Sequence, residues 1–221
     1  NSTVEATATA SLGPFSGRTL DGRTLDVRAA TSTWDDLFVT LLNGARWRQG
    51  GAVDVIGTTP VIQDSTGGGT FELVEGATLT RSTGTGTFTL NAPATFAGTV
   101  ALQTGVLDVN DPLSLSGTLD LAAGTRADLA GTGGTIEGTV TGAGTLRIDG
   151  GTTTVPSGTL AMGRLEVAGG TLTLDAAPTV AELAVTGGVL NGTGDLTVTD
   201  AFVWNGGTIA APDPAAALAV E

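Results

Sequence analysis

The amino-acid sequence predicts an all-β fold, a single-stranded β-solenoid with about 19–20 residues per coil, on three observations. A glycine pair recurs at a near-constant step, an apolar residue recurs five places before the second glycine of each pair, and the short runs between glycines alternate apolar and polar residues.

The glycine pairs come first. They lie in "LRIDGGTTTV" from Leu146, "LEVAGGTLTL" from Leu165, "LAVTGGVLNG" from Leu183 and "FVWNGGTIAA" from Phe202. The second glycines, Gly151, Gly170, Gly188 and Gly207, step by 19, 18 and 19, and Leu146, Leu165, Leu183 and Phe202 keep the same steps. A looser upstream series, Gly98, Gly117, Gly138 and Gly158, each followed by Thr, steps by 19, 21 and 20. A period near 20 residues indicates a repeat array, and one too short for the roughly 40 residues of a propeller blade.

Within each unit the alternation of Leu119 with Leu121, Leu146 with Ile148 and Leu196 with Val198 is that of half-buried strands, and Gly, Asn, Asp and Pro between the runs turn the chain at low steric cost. Two or three such strands close one coil, and each pairs with its equivalent ~4.8 Å away in the next. A right-handed parallel β-helix is the expected form. Stacking in this register predicts two inward columns, Leu146, Leu165, Leu183, Phe202 and Ile148, Val167, Val185, Trp204, with Arg147 outward beside Glu166.

Three segments follow. Residues 51–209 carry the regular coils, residues 1–50 are irregular N-terminal coils or a cap, and residues 210–221 form a Pro/Ala-rich tail in which Pro212 and Pro214 end the pairing. Between Ser32 and Trp47 two readings compete. Trp34, Leu37, Phe38, Leu41 and Leu42 could share the apolar face of a capping helix. Alternatively Leu37, Val39 and Leu41 form a strand, Asn43 and Gly44 a corner, and Ala45 and Trp47 the next strand; the corner dipeptide favours this second reading.

Composition narrows the class. With 40% hydrophobic and 14% charged residues and 35 glycines in 221, the chain suits one elongated domain. No apolar run reaches the roughly 18 residues of a membrane span. All nine basic residues are Arg, and 22 acidic residues give a net charge of −13. That balance disfavours nucleic acid and anionic lipid, whose binding rests on cationic contacts. An acidic chain rich in Thr and Gly and without Lys or Cys suits a protein working outside the cell.

The run "RSTGTGTFTLNAPATFAGTVALQTGVLDV", residues 81 to 109, followed by "GTLDLAAGT" and "GAGTLRIDGGT", resembles the Gly/Thr-rich β-helical repeats of bacterial secreted and cell-surface proteins, including autotransporter passengers and adhesins. The likeness is one of repeat style over most of residues 18 to 209, and it brings no catalytic residues. It implies an extracellular or cell-surface stalk or adhesive module, with a host or neighbouring-cell protein or glycan as partner.

Enzymatic chemistry is restricted by residue type. Without His, Cys, Tyr or Lys there is no Ser/His/Asp arrangement, thiol nucleophile, Schiff base or imidazole metal site. The alternative that survives is a carbohydrate-active site built on two carboxylates within about 5 to 10 Å, with Asp35 and Asp36, or Glu72 and Glu75, as candidates. Solvated charges explain the same residues, and a non-enzymatic chain without cofactor is the expectation. Asp108, Asn110 and Asp111 in "DVNDP" offer hard oxygen ligands to a cation such as Ca²⁺, though these residue types equally make a turn. Asn1-Ser2-Thr3 and Asn191-Gly192-Thr193 fit the glycosylation acceptor pattern.

Thr-x-Thr pairs at Thr87 and Thr89, Thr139 and Thr141, Thr152 and Thr154, Thr171 and Thr173, and Thr197 and Thr199 raise the further alternative of an ordered-water or ice-binding array. In register, Thr152 and Thr154 meet Thr171 and Thr173, but the next coils offer Val189 with Asn191 and Thr208 with Ala210. The final apolar coil, ending on Phe202 and Trp204, leads to the expectation that further domains of a longer chain, or self-association through the solenoid ends, cover it.

Overall fold

A computed structural model describes residues 3–6, 10–12, 17–211 and 216–221. Among these residues there is no helix; 28 short strands coil into a parallel β-solenoid of triangular section. One face is an 11-stranded sheet, and the other two share a 17-stranded sheet. One coil illustrates the plan: Ala94–Phe96 lies on the first face, Thr99–Leu102 on the second and Val106–Val109 on the third. Eleven strands at ~4.8 Å spacing make a rod about 50 Å long.

Every pairing is parallel and joins neighbouring coils. Leu146 pairs with Leu165, Leu183 and Phe202 in succession, and Ile148 with Val167, Val185 and Trp204. The expected columns are present, and the first three members of each are fully buried. Phe202 is half-buried and Trp204 is 55% exposed, because among the described residues no strand pairs above Ala201–Trp204 on the third face.

The glycine pairs form the corner between the third and first faces. Gly151, Gly170, Gly188 and Gly207 all have φ between 58° and 74°, a left-handed conformation that glycine enters without steric cost. In the series Gly98, Gly117, Gly138 and Gly158 the constraint is close approach: a Cβ on Gly117 or Gly138 would collide with the carbonyl oxygen of the glycine one coil below.

Between Ser32 and Trp47 the chain is strand. Thr31–Asp35 and Phe38–Leu42 are separated by Asp36 at φ 41°, and Asn43 and Gly44, at φ 52° and 71°, make the next corner. Trp34, Leu37, Val39 and Leu41 all point inward. Residues 24–49 therefore form ordinary coils in register with those above, Leu25 opposite Trp47 and Trp47 opposite Phe71. At the other end, Leu218–Val220 rejoins the stack on Leu196–Val198. Pro212 and Pro214 lie outside the described residues.

Candidate ligand-binding faces

Of the four carboxylates singled out in the sequence, Asp36 holds a corner and Glu72 closes an ion pair. Asp35 ends a strand of the second face, whereas the Asp36 Oδ1 accepts hydrogen bonds from the backbone N–H groups of Thr58 and Thr59 and so fixes the corner of the next coil. Glu72 lies on the first face between Arg46 (2.9 Å) and Arg48 (3.0 Å), and Glu75 is exposed in a turn. The same capping is done by Asp64 for the N–H groups of Gly67 and Gly69, and by Asp175 for the N–H and hydroxyl of Thr193. Part of the acidity of this chain is thus spent on turns.

Asp108 projects from the third face, with Asp111 at the following corner. Asn110 turns its NH2 group, not its carbonyl, toward both Asp108 Oδ2 and Asn91 Oδ1 (2.9 Å each). Asn110 thus ties Asp108 to the coil below, and among the described residues no group of three or more His, Cys, Asp or Glu could hold a metal ion. Asn191 is half-buried, its Oδ1 accepting from the Thr173 hydroxyl at 2.6 Å. Asn1 and Ser2 lie outside the described residues.

Two charged clusters occupy different faces. On the first face, three guanidiniums, Arg28, Arg46 and Arg48, meet three carboxylates, Glu5, Asp26 and Glu72. The hydrogen bond from Arg48 to Glu72 holds its guanidinium above the usual value, against the opposing effect of burial. On the third face Arg147 lies 3.7 Å from Glu166 and 2.7 Å from Asp149, and Arg164 bridges Glu166 and Glu182. The expected neighbours Arg147 and Glu166 do share a face and a register position. Below them Arg126 binds Asp128 at 2.6 Å, which raises its pKa.

The hydroxyl arrays are longer than the glycine-pair alignment implies. Thr154 and Thr173 belong to a first-face column that begins at Thr95 and runs through Ser114 and Thr135. It stops at Asn191, where the sequence alignment also places the break. On the second face Thr78, Thr99, Thr118, Thr139 and Thr159 stand in five successive coils. The column beside them reads Thr80, Ala101, Asp120, Thr141, Ala161, so this array is one residue wide. The sequence carried a signal for it, since four of its members follow the glycines at 98, 117, 138 and 158.

The first-face column borders a groove of about 230 Å³. Its origin is a pair of prolines. In the outermost column of this face Thr24, Arg46 and Thr70 succeed one another, but the next two positions are Pro93 and Pro112, and the strands there begin one residue later, at Ala94 and Leu113. The proline carbonyls still accept from Phe71 and Ala94 N–H (3.0 and 2.9 Å). Arg46 and Thr70 bound the groove below, Gly133 above, and Glu72, Thr95 and Ser114 along one side. The groove went unseen in the sequence, although "NAPATFAGT" and "NDPLSLSGT" repeat its elements one coil apart.

Searches of known protein families, of curated proteins and of solved structures return no match to this chain. The class the fold defines is a parallel β-solenoid.

Proposed function

We propose that this chain is a non-enzymatic, ligand-presenting or spacer segment of a larger cell-surface or secreted protein, of the bacterial adhesin type whose repeats it resembles. The observation that supports the reading is the continuous parallel stack: eleven hydrogen-bonded strands on one face, giving a stiff rod whose flanks carry ordered columns of hydroxyls and clusters of paired charges. A rod of this kind holds a ligand site at a fixed distance from its anchor, and its repeated flank allows several weak contacts to act together. The carboxylate that lines the proline groove, Glu72, is bound by two arginines, and no second carboxylate stands among the groove's lining residues, whereas glycoside hydrolysis takes a facing pair.

The test is adhesion against hydrolysis. Beads coated with the purified chain are expected to adhere to cells or extracellular matrix above a bovine-albumin control, and the chain is expected to release no reducing ends from a panel of polysaccharides. Release of reducing ends by the wild type, lost in Glu72→Gln or Asp36→Asn, overturns the proposal.

A further inference from the structure

We infer that the proline-floored groove of the first face binds one ring of a neutral glycan, with the rest of the saccharide lying along the hydroxyl column from Ser114 toward Thr173. The inference rests on the ligand-presenting function proposed above and names its ligand class.

The chemistry of the groove selects the ligand. Arg46 is half exposed, but its guanidinium is 2.9 Å from the Glu72 carboxylate, and Glu72 is also held by Arg48. The lower end thus belongs to a cluster of three guanidiniums and three carboxylates that is neutral as a whole; it donates through Arg46 and accepts through Glu72, as adjacent sugar hydroxyls require, and it presents no bare cation to a phosphate or carboxylate. A net charge of −13 further disfavours acidic polymers. Thr95 and Ser114 add hydroxyls that both donate and accept, while Pro93 and Pro112 provide an apolar floor for the C–H face of a sugar ring. An extended peptide fits less well, because strand addition needs an open sheet edge and here the backbone is already paired with the coils above and below.

Size and direction agree. The groove, about 230 Å³, is smaller than the roughly 300–1,000 Å³ of sites that enclose drug-sized ligands, which suits one ring in place of a whole oligosaccharide. Above it Thr135, Thr154 and Thr173 continue the hydroxyl column at ~4.8 Å intervals along the rod.

The experiment titrates the whole purified chain with tetrasaccharides of glucose, galactose and mannose, and with uronic acid oligomers of the same length, by saturation-transfer NMR and calorimetry. At least one neutral tetrasaccharide is expected to bind with a dissociation constant of about 1 mM or tighter, and the uronic acid oligomers more weakly. Ser114→Trp and Thr95→Trp, both at outward positions, each fill the groove and are expected to weaken binding about tenfold or more, whereas Thr99→Trp on the second face leaves it unchanged. Failure of every neutral tetrasaccharide to bind, tighter binding of the uronic acid oligomers, or retention of wild-type affinity by both groove variants with intact circular dichroism, overturns the inference. Bead adhesion without saccharide binding overturns it while leaving the proposed function standing; release of reducing ends overturns the function and not the occupancy of the groove.

Discussion

The lower and upper halves of the rod solve the same packing problem differently. Between residues 24 and 96 the coils are long, with Val61 pairing as far along the chain as Thr89, and the interior is filled by aromatic rings. Trp34 meets Trp47, Phe71 and Phe88 edge-on at 4.9, 5.9 and 6.4 Å, and Phe71 meets Phe96 at 6.2 Å. Between residues 139 and 204 the coils are shorter, the interior is aliphatic, and single strands such as Thr159–Val167 bend from the second face to the third. The wide coils carry polar defects that the narrow ones avoid. The indole Nε1 of Trp34 and Trp47, the Gln49 Oε1 and two nitrogens of Arg81 are buried without a hydrogen-bond partner, and the upper coils add only Arg147 Nε. Aliphatic ladders leave few polar groups to bury, whereas Trp34, Trp47 and Gln49 carry polar atoms into the interior opposite Val55, Phe71 and Leu73, which offer no partner.

Replacing the central ring breaks this contrast most strongly. Trp34→Ala removes a fully buried side chain touching three other rings and is expected to cost about 3–5 kcal/mol. Leu165→Ala, in the aliphatic ladder, is expected to cost about 2–4 kcal/mol, since the narrower coil leaves a smaller cavity. In a stack whose coils contact only their neighbours the damage stays local. Hydrogen exchange should therefore lose protection across residues 24–96 in the first variant and keep it across 146–185. Uniform loss along the rod would show that the two halves unfold as one unit, and a cost below about half a kcal/mol for Leu165→Ala would contradict its inward place.

Arg81 sharpens the comparison. It is fully buried at the corner between the second and third faces, where Nη2 donates to the carbonyls of Gly57 and Gly86 (3.1 Å each) and so ties two corner loops of successive coils. Burial lowers its pKa below the usual arginine value, with Asp36 acting in the opposite sense. Arg81→Ala strands the Gly57 carbonyl, leaves that of Gly86 with the Val106 N–H alone and opens a cavity, and is expected to cost about 2–3 kcal/mol in urea unfolding. Arg81→Met strands the same carbonyl but keeps the volume and sheds the buried charge, so its cost should be the smaller, about 1 kcal/mol. Equal losses in the two variants would assign the whole effect to the hydrogen bonds.

The same contrast explains what was legible in the sequence. Gly151, Gly170, Gly188 and Gly207 disclosed the coil length because a left-handed corner admits little else, and Leu146 to Phe202 disclosed the inward columns because a register slip would turn them to solvent. The strands of residues 31–49 were harder to place, since insertions after Ile56 and Arg81 spoil the period and the bulky Trp34, Phe38 and Leu41 also fit a helical stripe. The groove escaped for a different reason. It depends on where strands start, and Pro93 and Pro112 read alone are merely turn residues until the register sets Arg46 and Thr70 beneath them. The columns above Thr95 and Thr78 likewise needed the true register of coils that differ in length.

The smallest expected effect lies on the upper third face. Arg147 and Glu166 are cross-strand neighbours at 3.7 Å, but Arg147 is closer to Asp149 at 2.7 Å, and Glu166 is also 3.3 Å from Arg164. Each partner retains another when one is removed, so a double-mutant cycle of Arg147→Ala and Glu166→Ala should report only the lower part of the range for such pairs, about 0.2–0.5 kcal/mol. Solvent reaches both side chains, with 28% and 20% exposure, and about 1 M salt should therefore reduce the coupling further. Against this, Arg126 has Asp128 as its hydrogen-bonded partner at 2.6 Å, and its cycle should give the larger coupling although the two residues share one strand. A coupling above about 1 kcal/mol between Arg147 and Glu166 would mean that the upper charges act as a single network, with Arg164, Glu182 and Asp149 contributing through them.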